Sequence, residues 1–169
     1  MTADRGPQTT DEGVLKLGPM VGNDIAPLAK LMASSPLWQR YNVTESSAAK
    51  RLSDGLAKGA TIVVAESDGV PVGFCWYVER GAFNRSGYIM LIGVQPDAKG
   101  RGIGRALMEH AESVLFASSP DVFLLVSDVN RDAQQFYARL GYQLVGAIPD
   151  YVVPGITEFI YRKSRIVCR

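Results

Sequence analysis

Apolar residues recur along this chain in two rhythms, one close to 2 and one close to 3.6. Together they predict an ordered run of short strands and helices. Residues 13–20 alternate weakly and read as a first strand. Asn23 or Asp24 can cap a helix that carries Leu28, Leu31 and Met32 and ends at Ser34-Ser35-Pro36. An aromatic loop over residues 37–42 follows. Thr44 opens a second helix with Ala48, Leu52 and Leu56 at period four, running to Gly59. Strands are expected over 61–65 and 72–78 around an Asp68-Gly69 hairpin turn, and over 88–94 after a loop at 81–87. Beyond Pro96 the rhythm returns to helix, with Ile103, Ala106, Leu107, Ala111, Val114 and Leu115 on one stripe. Pro120 ends it, and 122–126 is a buried strand. A short helix then carries Ala133, Phe136, Tyr137 and Leu140 on one face until Gly141. Two last strands, 142–148 and 156–161, flank a loop. The order βααβββαβαββ belongs to an α+β or α/β domain with a mixed sheet.

Composition narrows what such a domain does. The chain has 169 residues, and 18 Lys+Arg against 17 Asp+Glu leave a net charge of +1. No global field draws in nucleic acid or an anionic membrane, so the chemistry belongs to a local site. Two cysteines, Cys75 and Cys168, and one histidine, His110, exclude a zinc framework. They suit a reduced, cytoplasmic compartment. Residues 1–12 read as a flexible polar tail without a signal-peptide core. Residues 13–163 read as one domain and 164–169 as a short tail. The longest apolar runs, 89–94 and 122–126, fall far short of the roughly 20 residues of a membrane helix.

The most informative segment is the turn Lys99-Gly100-Arg101-Gly102-Ile103-Gly104-Arg105, between a buried strand and an amphipathic helix. Glycines let backbone approach a ligand, and a helix N-terminus presents free N–H groups. Lys99, Arg101 and Arg105 add positive charge, and no acid lies between Asp97 and Glu109. That is an anion site of pyrophosphate size. A Walker loop is absent, and the dinucleotide pattern fails because Arg105 and Leu107 stand where its third glycine would be. The plain structural reading is a solvated turn before a helix.

One strand later comes Asn130-Arg131-Asp132-Ala133-Gln134-Gln135-Phe136-Tyr137-Ala138-Arg139-Leu140-Gly141-Tyr142. Both segments together resemble the GNAT N-acetyltransferase superfamily: its [QR]xxGx[GA] coenzyme A loop and its NxxAxxFYxxLGF segment. The loop departs in one place, with Lys99 where Gln or Arg is usual. Lysine keeps the charge and loses the bidentate fork. The resemblance implies a mixed, mostly antiparallel central sheet of about seven strands flanked by about four helices. It implies acetyl-CoA as cosubstrate, with no metal. Backbone near Ile92 and Val94 would pair with the pantetheine arm, and one N–H there would hold the oxyanion. Asn130 would lie near the pantetheine or cap its helix, which would also bring Ala133, Phe136 and Tyr137 to the coenzyme.

The implied reaction is direct attack of an amine on the thioester through a tetrahedral intermediate. Neutralising a lysine-like amine at pH 7 costs roughly 4.6 kcal/mol, whereas protonating the leaving thiolate gains only about 2 kcal/mol. A general base therefore matters more than the acid. By the resemblance Tyr137 faces the thiol and is the acid candidate; the plain alternative is a core tyrosine. Strand 88–94 carries no carboxylate, leaving Glu79, with Asp128, Glu158 and a water chain as alternatives.

Acceptor contacts are expected from Trp38 and Tyr41, from Phe83 and Arg85, and from Tyr151 in the loop 149–155. Each has an ordinary alternative as a hydrophobic plug or a solvated loop residue. An aromatic rim without an acidic cluster suits a small primary amine, amino acid or peptide end, taken by a monomer or homodimer. Two other functions stay open: acetylation of a protein N-terminus or lysine, and a non-catalytic acyl-CoA-binding module. His110 reads as a half-buried structural residue, and the basic end 162–165 as solvated.

Overall fold

A computed structural model describes residues 7–10 and 13–165. The strands are β1 (Pro7–Thr10), β2 (Gly13–Pro19), β3 (Thr61–Ser67), β4 (Val70–Ala82), β5 (Ser86–Val94), β6 (Asp121–Ser127), β7 (Gln143–Pro149) and β8 (Thr157–Ser164). The helices are α1 (Ile25–Ser34), α2 (Pro36–Arg40), α3 (Glu45–Ala57), α4 (Ile103–Ser118) and α5 (Arg131–Arg139), with single 3-10 turns at Gly22–Asp24 and Pro96–Ala98. Local signals fix most of these ends. Thr44 Oγ1 accepts from Ser47 N at 3.1 Å and caps α3. Asp68 and Gly69 take φ of 52° and 78°, the left-handed pair that a two-residue hairpin needs. Gly141, at φ 91°, stops α5.

Two elements differ from the pattern. Pro7–Thr10, expected as flexible tail, pairs antiparallel with β2 (Pro7↔Lys16 to Thr10↔Gly13). A polar segment can serve as an edge strand, because one neighbour completes half its ladder and water the rest. The expected loop at 37–42 begins as helix α2, because Pro36 sits at its first position, where the missing N–H costs nothing. Residues 1–6, 11, 12 and 166–169, including Cys168, lie outside the described residues.

The chain divides into two compact units, one running to Tyr77 with Leu91–Ala111, the other comprising Val78–Met90 and Glu112 onward. In the first unit β1, β2, β3 and β4 pair antiparallel in sequence order. Helices cover both faces of this sheet. A Cβ built on Gly73 would meet Ile103 and Leu107 of α4, while Trp76 lies against Gly55 of α3 and Phe74 against Trp38 of α2. Leu28, Met32, Leu52, Val64, Phe74 and Leu107 are fully buried between these layers.

The second unit holds the remaining strand pairs. Gly87–Ile89 of β5 pair in parallel with Val122–Leu124, β6 pairs antiparallel with β8, and β8 with β7. Leu115 of α4 closes over Gly87, whose missing side chain leaves room for it. Lys163 Nζ lies 2.6 Å from Glu112 Oε2 and ties β8 to α4. Arg165 Nη1 donates to the carbonyl of Phe116 at 2.9 Å, near the end of that helix.

Close packing at Gly93 gives a stability test. A Cβ there would stand 2.6 Å from Trp38 Cη2 and 3.0 Å from Phe74 Cε1. Gly93→Ala is expected to destabilise the fold by about 1–3 kcal/mol through overpacking, read as a lower denaturant midpoint at unchanged slope. An unchanged midpoint would mean that the Trp38 ring is free to move aside.

Candidate functional site

The glycine-rich turn belongs to the first unit. β5 ends at Val94, Gln95 N donates to Val72 O at 2.8 Å, and buried Ala98 anchors the 3-10 turn. Gly100 and Gly102 then take φ of 80° and 79°, a left-handed geometry that side chains disfavour. A Cβ at either would meet nothing within 4 Å, so the backbone is open on that side. The first amide carried into α4 by its own ladder is Ala106, donating to Gly102 O at 3.0 Å. The N–H groups of Ile103, Gly104 and Arg105 therefore precede any intrahelical partner. Ile103 is buried and fixes the helix start, Lys99 and Arg105 are exposed, and Arg101 is half-buried. Arg105 meets Glu109 only loosely, at 3.8 Å and in solvent, so its charge is barely compensated. An open, positively charged backbone cradle at a helix N-terminus fits a pyrophosphate.

Ile92 and Val94 are half-buried on β5, flanking Gly93. Trp38, proposed for the acceptor, packs its ring on Gly93 with its centroid 5.9 Å from that of Phe74. It lies beside the two strand positions expected to face the coenzyme. Tyr41, half-buried, follows α2.

The second unit holds the other candidates. Asn130 caps α5, its Oδ1 accepting from Ala133 N at 3.2 Å. Gln134 Nε2 donates to the carbonyls of Ser127 and Asp128, so the turn entering α5 is held from inside the helix. Tyr137 is buried, its ring edge-on to Phe136 at 5.2 Å and Tyr142 at 5.8 Å. The ring is therefore part of this unit's core.

Burial separates the carboxylates. Glu79 is exposed near the end of β4. Glu158 is buried on β8, opposite Ser127 and Ile148. Asp128 presents a buried Oδ1 with no hydrogen-bond partner, a feature that spacing could not reveal. Phe83 is 78% exposed at the tip of the β4–β5 hairpin, at φ 56°, its ring 5.4 Å from that of Phe123. Arg85 is exposed beside it, and Tyr151 is exposed in a loop closed by Asp150 Oδ1 accepting from Gly155 N. His110 is half-buried, and desolvation holds its imidazole below the usual value. No group of His, Cys, Asp and Glu suited to a metal ion occurs among the described residues, and no described helix is long and apolar enough to cross a membrane.

Sheet, helix order and glycine turn together define a GNAT-type acyltransferase domain. The Acetyltransferase (GNAT) family model matches residues 28–142, and the chain belongs to that family. It is 29% identical over 166 residues to a mycothiol acetyltransferase of Mycolicibacterium gilvum, covering 92% of this chain and 54% of that protein. The chain thus spans about half the length of that curated relative. It is also 29% identical over 87 residues to a peptidyl-lysine N-acetyltransferase of Salmonella typhimurium, covering 47% of this chain and 57% of that one. A Salmonella typhimurium structure with its cofactor acetyl-CoA shares the fold at a TM-score of 0.69 and 13% identity, over 92% of this chain and 96% of its own.

Proposed function

We propose that the chain transfers an acetyl group from acetyl-CoA to a primary amine of a small molecule. The observation that carries this reading is the open left-handed turn at Gly100 and Gly102, with Lys99, Arg101 and Arg105 around the first amides of α4. That turn would hold the pyrophosphate, with Ile103 and Gly104 supplying amides. Ile92 and Val94 would face the pantetheine arm, and Asn130, Ala133 and Phe136 would border it. Bound acetyl-CoA supplies the activated acetyl group. Tyr137 would keep a proton ready for the departing sulfur. Acceptor contacts are assigned to Trp38, Tyr41, Phe83, Arg85 and Tyr151.

Glu79 is the first assignment for the base, and its exposure favours easy exchange with water. Asp128 is the second, favoured by its buried, unpartnered Oδ1, which would gain from an incoming amine. Glu79→Gln is expected to lower turnover about a hundredfold with an unchanged coenzyme dissociation constant. Full activity in that variant, with loss in Asp128→Asn, passes the role to Asp128.

The acceptor class is tested by incubating the chain with acetyl-CoA and a panel of amines, amino acids, amino sugars and peptides. Thiol release and product mass are followed. Small amines as the best substrates support the proposal. Preference for peptide amines favours the second reading, a protein or peptide acetyltransferase, which the peptidyl-lysine relative supports. Coenzyme binding with no acceptor-dependent thiol release would overturn both.

A further inference from the structure

β6 runs between β5 and β8, and its two faces are packed unequally. Val122, Leu124 and Val126 are at most 3% exposed. They share the face that meets α4: Leu115 closes over Gly87, the β5 partner of Val122, and Lys163, its β8 partner, reaches Glu112. Phe123 and Leu125 point the other way with Ile160, the β8 partner of Leu125, and all three are only half-buried. A strand with neighbours on both sides keeps such exposure where the layer over that face is incomplete. Phe83 leans on this apolar strip from the hairpin tip, its ring edge-on to Phe123, although a φ of 56° strains a residue of that bulk.

The strip carries opposite charges at its ends. The register pairs Phe123 with Arg162 and Ser127 with Glu158, which places both charged residues on this same face of β8. From 158 to 162 the strand rises about 13 Å. Glu158 is buried at the end where β6 passes into α5, the helix of Asn130 and Tyr137. The Arg162 side chain is 47% exposed at the far end. Its Nε lies 3.5 Å from Asp121 Oδ1, which also accepts from Ser164 Oγ at 2.6 Å, so the arginine charge is only partly compensated.

We propose that this strip binds the acceptor, and that the acceptor is an extended zwitterion: an apolar body with an ammonium at the Glu158 end and a carboxylate at the Arg162 end. The inference rests on the acetyl-transfer reading, which sets the reacting amine at the end leading into α5. Glu158 draws the ammonium there by charge, and the Arg162 guanidinium offers the planar fork that fits a carboxylate. Phe123, Leu125 and Ile160 favour an aliphatic body between them. A diamine of the same length would set its second charge against Arg162.

Three acceptors of matched length test this: ω-aminoundecanoic acid, its carboxamide and the corresponding α,ω-diamine, followed by thiol release at saturating acetyl-CoA. The acid is expected to exceed the amide in kcat/KM by about tenfold or more, through KM, with the diamine poorest. Arg162→Glu should reverse the order in favour of the diamine, and Arg162→Gln should erase it, both with unchanged coenzyme dissociation constant. Arg51→Glu, an equal change of charge at an exposed position of α3, should leave the order alone. Equal efficiency with acid and amide overturns the proposal, as does an Arg162→Glu variant that keeps the wild-type order. Either result leaves acetyl transfer standing. If Arg162→Glu fails to fold, Arg162→Gln decides, since an undiminished preference for the acid in that variant defeats the proposal. If no amine releases thiol, the transfer reading fails, and calorimetric titration of acid and amide into the chain with coenzyme A decides for the strip. Tighter binding of the acid supports it, and equal or absent binding overturns it.

Discussion

Tyr137→Phe is expected to lower the turnover number about a hundredfold, the scale of one positioned acid, and to leave coenzyme affinity within about twofold. The substitution removes one oxygen and keeps the ring. Because that ring is fixed edge-on between Phe136 and Tyr142, the variant should fold as the parent does, within about 1 kcal/mol. The separation matters, since burial alone would also explain a tyrosine here. A residue serving only the core leaves turnover unaffected once the protein is folded. Removing a residue that protonates sulfur lowers turnover at every pH where the phenol would be protonated, and the loss is sharpest for acceptors whose attack is fast. Steady-state rates from about pH 6 to 9, paired with calorimetric titration of coenzyme A, distinguish the two. Turnover within about twofold of wild type across that range would end the acid role.

Gly102→Val is expected to act on binding instead. At φ 79° a β-branched residue is strained by about 1–3 kcal/mol, and the turn would relieve that strain by leaving the geometry that opens its amides. At 1.4 kcal/mol per decade, acetyl-CoA affinity should fall at least fivefold, with turnover at saturation largely kept. Gly59 supplies the control, with φ 73° and no neighbour within 4 Å of a Cβ, in a turn remote in sequence from residues 99–105. Gly59→Val should cost comparable stability and leave coenzyme affinity alone. Equal losses of affinity in both variants would show that turn 99–102 has no special claim on the pyrophosphate.

What the sequence made legible followed from strong local rules. Asp68-Gly69 specified a hairpin, Thr44 and Asn130 specified helix starts, and Gly141 a helix stop, because each acts through its own backbone. The glycine turn was legible for the same reason, although its meaning changed. Spacing suggested close approach to a ligand, whereas the structure adds a left-handed conformation that Gly100 and Gly102 supply without strain. Pro36 misled because a proline after two serines closes one helix and opens the next with equal ease. Pro7–Thr10 misled because edge pairing leaves little mark on composition. Tertiary facts were out of reach. The ring of Trp38 over Gly93, the buried oxygen of Asp128 and the pairing of Phe123 with Arg162 depend on what the fold brings alongside them.

Cys75 has a practical consequence for experiments on this chain. It lies on β4 opposite Val63 and is fully buried, and desolvation pushes its thiol far above the ordinary range. A thiolate is the reactive species toward disulfide reagents and alkylating agents, so this sulfur is chemically silent while the fold holds. Colorimetric detection of coenzyme A released during turnover therefore carries no background from Cys75. Conversely, a slow rise of reactive sulfur from that position would report opening of the sheet itself, so one reagent reads both catalysis and loss of structure.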